Sequence, residues 1–326
     1  MIWLTWRQHR LQAAYLLLGT LAVSAALFPI GRAMHSAFDN DGLAECLRTN
    51  GNPEFIRPAE GMGCGEFADL FMGRFGSLLP LGILLVLLPM LVGLFLGAPL
   101  VAREVEQGTH RLVWTQGVSR LRWATTKFGL ITLFGLALAA GYAVLLTWWI
   151  EPLAAAAGSR LEWLVFDLQG VVPLAYTLFA IALGIAAGAV SRKLLPAMGI
   201  TLAGFVVARV LVAWLGRPRY QEPIERRISV VTDRLPNELH GEWNLSSGVY
   251  DASGRQIVAN GNRYCPPEAL ANDRAPGVCD PTTYNLEVYQ PAGRFWTFQW
   301  IEAGIFAVLV AALLAFAVYR VRNRIS

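Results

Sequence analysis

The chain has 326 residues, of which 55% are hydrophobic and only 15% charged, with a formal net charge of +4. That composition excludes an ordinary soluble domain, in which about 25% of residues are charged. It describes a chain that is solvated largely by lipid.

A helix crosses the apolar part of a bilayer with roughly 20 residues. Six stretches have that length: Leu11–Ile30, Leu78–Val101, Phe128–Ile150, Val171–Val190, Ala197–Leu215 and Phe298–Tyr319. Residues 1–10 (MIWLTWRQHR) read as an interfacial helix, with Ile2, Trp3 and Trp6 dipping into lipid, or as the frayed basic start of the first span. Cleavage as a signal peptide is disfavoured, because the apolar run continues to Ile30. Residues 31–77 then form a first outer loop, 102–127 an inner hairpin, 151–170 a second outer loop and 191–196 an inner loop. Residues 216–297 form the largest outer segment and 320–326 an inner tail. Alternating runs at Ile228–Thr232 and Gln256–Ala259 predict strands in that large segment, and Asp251–Gly254 predicts a hairpin turn. The expected fold is an all-α integral membrane protein with six transmembrane helices and a small α+β extracytoplasmic domain between helices 5 and 6.

Basic residues set the orientation. The side holding both termini carries Arg7, Arg10, Arg103, Arg111, Arg120, Arg122, Lys127, Arg192, Lys193, Arg320, Arg322 and Arg324 against two acids, Glu104 and Glu106. The opposite side has 14 basic and 20 acidic residues, leaving out Arg209 and Glu302, which fall within spans. The positive-inside rule then places both termini in the cytoplasm. The basic excess suits contact with anionic lipid and not with nucleic acid. Trp148, Trp149, Trp214, Trp296 and Trp300 fall at the outer ends, and Trp3, Trp6, Trp123 and Tyr319 at the inner ends, as interfacial aromatics would.

All four cysteines fall outside, Cys46 and Cys64 in the first loop, Cys265 and Cys279 in the last. An even number on the oxidising side implies disulfides. Three pairings are open; the two within-loop pairs are expected because each closes a short loop, worth about 3 kcal/mol in the chain-entropy description. The spacing lacks close C-x-x-C pairs and does not suit zinc.

The hairpin LVAREVEQGTHRLVWTQGVSRLRWATTKF (100–128) is the main functional clue. Gly108 suits a helix stop and Thr109 a new cap, predicting a short transverse helix His110–Gln116. Gly117 then ends it and Ser119 caps the next span. The charges oppose their own helix dipoles: Glu104 and Glu106 sit near a C-terminus, Arg120 and Arg122 near an N-terminus. Either the two signs pair across the hairpin, or the glutamates meet a partner. Within the spans, Gly129, Gly135, Gly141, Gly184 and Gly188 suit close helix packing. Arg209 and Glu302 both fall in the outer leaflet, where an ion pair between them would lock two helices or line an outer gate.

The stretch Arg103-Glu104-Val105-Glu106-Gln107-Gly108-Thr109, followed by Ser119-Arg120 and Lys127, resembles the permease subunits of type-2 ATP-binding-cassette (ABC) exporters. MIWLTWRQHR, Gly97–Glu104, Tyr289-Gln290-Pro291, Arg294-Phe295-Trp296 and Gln299–Glu302 are similar to an actinobacterial branch of them. The motif covers about thirty residues. The large last outer loop departs from the short one usual there. The resemblance implies a plasma-membrane permease that works as a homo- or heterodimer and couples ATP hydrolysis by a separate ATP-binding subunit to export of a substrate. The coupling residues would be Arg103, Glu104, Glu106, Gly108, Thr109, Arg111 and Trp114. ATP and magnesium would sit on the partner, with no cofactor or metal on this chain. In agreement, the only lysines, Lys127 and Lys193, follow Thr126 and Arg192, so G-x-x-x-x-G-K-[ST] does not occur. Neither H-E-x-x-H nor G-x-S-x-G occurs, and no catalytic set emerges. The competing reading is a membrane sensor or signalling scaffold whose outer domain binds a ligand.

Overall fold

In a computed structural model, the structure describes residues 2–49, 64–109, 119–231, 241–265 and 278–324. Six helices among them are long and apolar enough to cross a membrane: span 1, Arg10–Asn40; span 2, Cys64–Glu106; span 3, Arg120–Ala157; span 4, Val172–Ser191; span 5, Leu194–Arg219; span 6, Ala292–Arg324. Several run past the apolar stretches read from sequence. Span 1 belongs to one helix, Ile2–Asn40, so residues 2–10 continue into it without a break. The described residues between Ile30 and Leu78 are largely helical too, with Leu43–Thr49 and Cys64–Phe75 joined by the Cys46–Cys64 disulfide.

Span 4 is the hub. Of its apolar window 72% is buried, against 11% for span 1 and 17% for spans 5 and 6. It packs on spans 2, 3, 5 and 6. Glycine makes the tightest of these contacts possible. A Cβ on Gly184 would stand 2.5 Å from Ala98 N and 2.8 Å from Gly93 O. One on Gly97 would stand 2.5 Å from Ile181 O. Backbones that touch this closely leave no room for any side chain, which is the small-xxx-small arrangement at work on both helices. Gly135 instead faces a side-chain tip, Ile181 Cδ1, whereas Gly129 and Gly141 have nothing within 4 Å. Span 2 is segmented around this seam. Pro80, Pro89 and Pro99 each fall in the first turn of a short helical segment, where a missing N–H costs least. A π-helical turn, Gly93–Gly97, lies between the last two segments.

The aromatic belt is smaller than the sequence implies. Trp214, Trp296 and Trp300 are exposed at 78%, 51% and 63%, but Trp149 and Trp123 are buried at 0% and 1%. Trp149 belongs to the core of spans 1, 2 and 3, and its neighbour Trp148 stacks on His35 with ring centroids 5.0 Å apart.

The described residues between spans 5 and 6 form an antiparallel sheet of four strands: β1 Ile224–Ser229, β2 Trp243–Tyr250, β3 Gln256–Ala259 and β4 Tyr284–Gln290, in the order β1-β4-β2-β3. Among these described residues there is no α-helix. The turn at Asp251 is closed by Gly254 N–H donating to Asp251 O at 2.9 Å, with Gly254 at φ +82°. Hydrogen bonds from Ser253, then from the Arg255 backbone, hold the Asp251 carboxyl below its usual range. Ser229 ends β1, though Val230 N–H still donates to Thr283 O at 3.4 Å; Thr232 lies outside the described residues. Cys265–Cys279 closes a small core with Val230 and Val249. Gln290 ties the sheet to the end of span 5 by donating to Pro218 O at 3.1 Å and Gln221 O at 2.8 Å.

The glycine seam makes a contrast. Gly184→Ala is expected to destabilise the purified chain by about 1–3 kcal/mol through overpacking. Gly129→Ala, with open space at the same atom, is expected to stabilise it by about 0.5–1 kcal/mol. Thermal unfolding in detergent reads both, and equal effects would show that the seam is not tight.

Candidate coupling site and buried charge cluster

At the face that carries the C-terminus, the last segment of span 2, Ala98–Glu106, ends as its residue types require. Gly108 adopts φ +69°, and Thr109 Oγ1 donates to Glu104 O at 3.4 Å. Across the hairpin, Ser119 caps span 3 by accepting Arg122 N–H at 3.3 Å. The Glu104 carboxylate pairs with Lys127 Nζ, and both residues are buried, at 9% and 1% exposure. The same ammonium lies 5.0 Å from the centre of the Trp123 ring. A buried cation of this kind needs such a partner, since desolvation costs several kcal/mol per ion.

The charges that oppose their own dipoles satisfy other helices. Glu106 Oε2 accepts Leu194 N–H, the first backbone donor of span 5, at 2.9 Å. Arg120 Nη1 donates to Arg322 O at 3.3 Å, and Arg192 Nη2 donates to Arg324 O at 2.5 Å. An acid thus meets an N-terminus and two bases meet a C-terminus, where unpaired backbone groups and the dipole favour them. Glu104 therefore turns inward, toward Lys127. Glu106 stays exposed while spending one oxygen on span 5, and Arg103 is exposed beside it. Arg111, Trp114 and the transverse helix lie outside the described residues.

At the opposite end, toward the sheet, Arg209 of span 5 donates to Glu302 of span 6 at 3.3 Å. The pair belongs to a larger cluster. Asp167, from the short helix Trp163–Leu168, also pairs with Arg209, and accepts Arg217 Nη2 at 2.7 Å. Arg217 forks onto Glu302, with Nε–Oε2 at 3.0 Å and Nη2–Oε1 at 2.9 Å. Tyr176 of span 4 bonds Glu302, and its hydroxyl stands 3.3 Å from Asp167 Oδ1. Tyr220 donates to Glu302 Oε2 at 3.1 Å. Burial, then the adjacent carboxylate, pushes the Tyr220 phenol up, so it remains a donor. Arg209 stacks on the Tyr176 ring at 3.5 Å and Arg217 on Phe166 at 4.0 Å. Two guanidiniums against two carboxylates give zero net charge, with Glu302 fully buried and Arg217 at 1%.

Asp167 and Arg217 escape sequence reading for separate reasons. Asp167 looks like one acid of an outer loop, although its flanks, LVF before and L after, are wholly apolar. Arg217 stands eight positions after Arg209, which an α-helix would rotate by about 80°. A π-helical turn at Val212–Gly216 absorbs one extra residue and returns both arginines to one face.

Gln299 holds the loop that delivers Asp167. Its Oε1 accepts Val171 N–H and Val172 N–H, both at 3.0 Å, and its Nε2 donates to Phe166 O at 3.0 Å. Gly170 at φ +70° makes this possible, because a Cβ there would stand 2.6 Å from Gln299 Oε1.

Glu302→Gln would leave two buried guanidiniums facing one carboxylate. It is expected to destabilise the chain by about 3–5 kcal/mol, and Asp167→Asn by a similar amount. Glu162→Gln, at an exposed neighbour, should stay within about 0.5 kcal/mol. Unfolding in detergent tests the set, and an unchanged midpoint for Glu302→Gln would contradict the cluster.

The sequence model of the family described as ABC-2 membrane transporter related matches residues 17–217. No curated protein and no solved structure matches the chain.

Proposed function

Because this multi-pass membrane chain belongs to the ABC-2 membrane transporter related family, we propose that it is the permease subunit of an ATP-driven exporter in the plasma membrane. Family membership implies an ATP-binding partner, and favours the transporter over a sensor scaffold. ATP and magnesium belong to that partner, and the permease performs no chemistry. Basic residues on the terminal face support a cytoplasmic hairpin, within reach of the partner. A second permease copy or a related chain completes the dimer.

The observation that carries the mechanism is the bracket around the hairpin base. Glu104–Lys127 binds span 2 to span 3, Glu106 binds span 2 to the start of span 5, and Arg120 binds span 3 to the end of span 6. A push on the hairpin base would therefore reach four helices. Arg103, Thr109, Arg111 and Trp114 provide the docking surface, Gly108 the turn between its parts, and Glu104 and Glu106 the linkage behind it. At the far end, the Arg209–Glu302 cluster joins spans 4, 5 and 6 and serves as the latch of the outer gate.

Docking and transmission should separate by mutation. Arg103→Glu and Trp114→Ala are expected to reduce co-purification of the cognate ATP-binding subunit by roughly tenfold or more, with an unchanged melting temperature. Glu106→Gln should keep the subunit bound yet lower substrate-stimulated ATP hydrolysis several-fold. If no ATP-binding subunit is retained by the unaltered chain, the proposal fails.

A further inference from the structure

A cavity of about 260 Å³ lies beside the charge cluster, between span 2, span 5 and the short helix that carries Asp167. That is just below the range of roughly 300–1,000 Å³ typical of small-ligand clefts. Met90 of span 2 and Val206 and Val210 of span 5 give it apolar walls, and Trp163 and Trp214 add aromatic surface. Both valines and both tryptophans are exposed, so the cavity is reachable from outside the chain. Two further lining groups are charged and buried, Asp167 at 6% and Arg209 at 9% exposure. They belong to the cluster, in which two carboxylates balance two guanidiniums. Their remaining bonding capacity is unequal. Both oxygens of Asp167 already accept from arginines, Oδ2 from Arg209 and Oδ1 from Arg217. A guanidinium carries five N–H donors. Among the described residues, Arg209 bonds through Nη1 to Glu302 and through Nη2 to Asp167, and its Nε–H takes no part.

We propose that this cavity is a binding site for an uncharged organic molecule with a flat apolar body and a hydrogen-bond acceptor, such as a carbonyl or hydroxyl oxygen. The body packs against the valines and tryptophans, and the oxygen meets the unspent donors of Arg209. The neutrality of the cluster decides the charge of the ligand. A carboxylate or an ammonium brought here would be a further ion with no counter-ion left to pair with, and an unpaired ion removed from water is strongly disfavoured. A neutral acceptor meets no such penalty, and its bond is strengthened by the charge on the donor. The tryptophans favour a flat body, because aromatic rings gain most from offset-stacked or edge-to-face partners. A lipid tail would satisfy the apolar walls but leave the arginine without an acceptor. The site stands on the cavity and the cluster whether or not the chain is an exporter.

The test irradiates the full chain, purified in uncharged detergent, with photoreactive ketones that share one body: benzophenone, para-benzoylbenzoate and para-benzoylbenzyl trimethylammonium. Labelled positions are mapped by peptide mass spectrometry. They are counted relative to Val308, an exposed apolar residue of span 6 outside the lining, which cancels partition into the micelle. Benzophenone should label Met90, Val206 or Val210 saturably, and each charged ketone should do so roughly tenfold less. Diphenylmethanol should displace it roughly tenfold better than diphenylmethane, which lacks the oxygen. Val210→Phe, which fills the cavity without changing charge, should abolish the saturable label. Trp300→Ala, at an exposed tryptophan outside the lining, should leave it intact. Equal labelling by either charged ketone overturns the proposal, as does labelling that does not saturate or that persists in Val210→Phe. Equal displacement by diphenylmethane overturns it by showing a site for apolar tails. Cross-linking of two copies through Val210→Cys in proteoliposomes overturns it by giving the cavity to a second chain. Melting temperature and elution volume identify a variant that misfolds, and Val206→Phe then serves in place of Val210→Phe.

Discussion

An ion inside a bilayer must find its counter-ion within the protein, and that requirement organises the whole chain. Two carboxylates and two guanidiniums meet near the sheet, and one ammonium meets one carboxylate near the hairpin. The partners come from distant parts of the sequence, so each group is usable only once the helices carrying it are in place. Such clusters favour a unique arrangement more than they favour stability itself. The helices are brought close enough to form them by span 4, whose glycines let span 2 approach to backbone contact.

Span 5 connects the two ends. Its first backbone donor is held by Glu106, and its last turns carry Arg209 and Arg217 into the far cluster. Little of its surface is covered by its own chain, and what is covered packs on spans 4 and 2. The helix is thus fastened by polar contacts at both extremities. The sheet rests on the same element through Gln290.

The spans were legible because hydropathy over about 20 residues has few alternative explanations. The disulfides were legible because the four cysteines fall in pairs within two segments between spans, and the strand at Gln256–Ala259 because its flanks carry turn residues. Arg209 and Glu302 stood out as charges in apolar runs, and the structure joins them directly. Asp167 and Arg217 did not, because each lies just beyond a span and reads as solvated there. Recovering Arg217 would have required knowing that a π-helical turn changes the phase of span 5, which no residue type announces. The hairpin charges misled in another way. Judged against their own helices they were misplaced, and only the tertiary fold reveals that Glu106 and Arg120 serve the ends of other helices.

Gly170 and Gln299 form an interlocked pair, since the amide fills the space that any Cβ at 170 would take. In inheritance the two positions therefore behave as one character. A lineage can abandon the glutamine only by rebuilding the entry to span 4, and a replacement for the glycine must meet both the glutamine and a backbone at φ +70°. Among descendants of this chain, drift at either site should be rare, and where it occurs the two changes should arrive together.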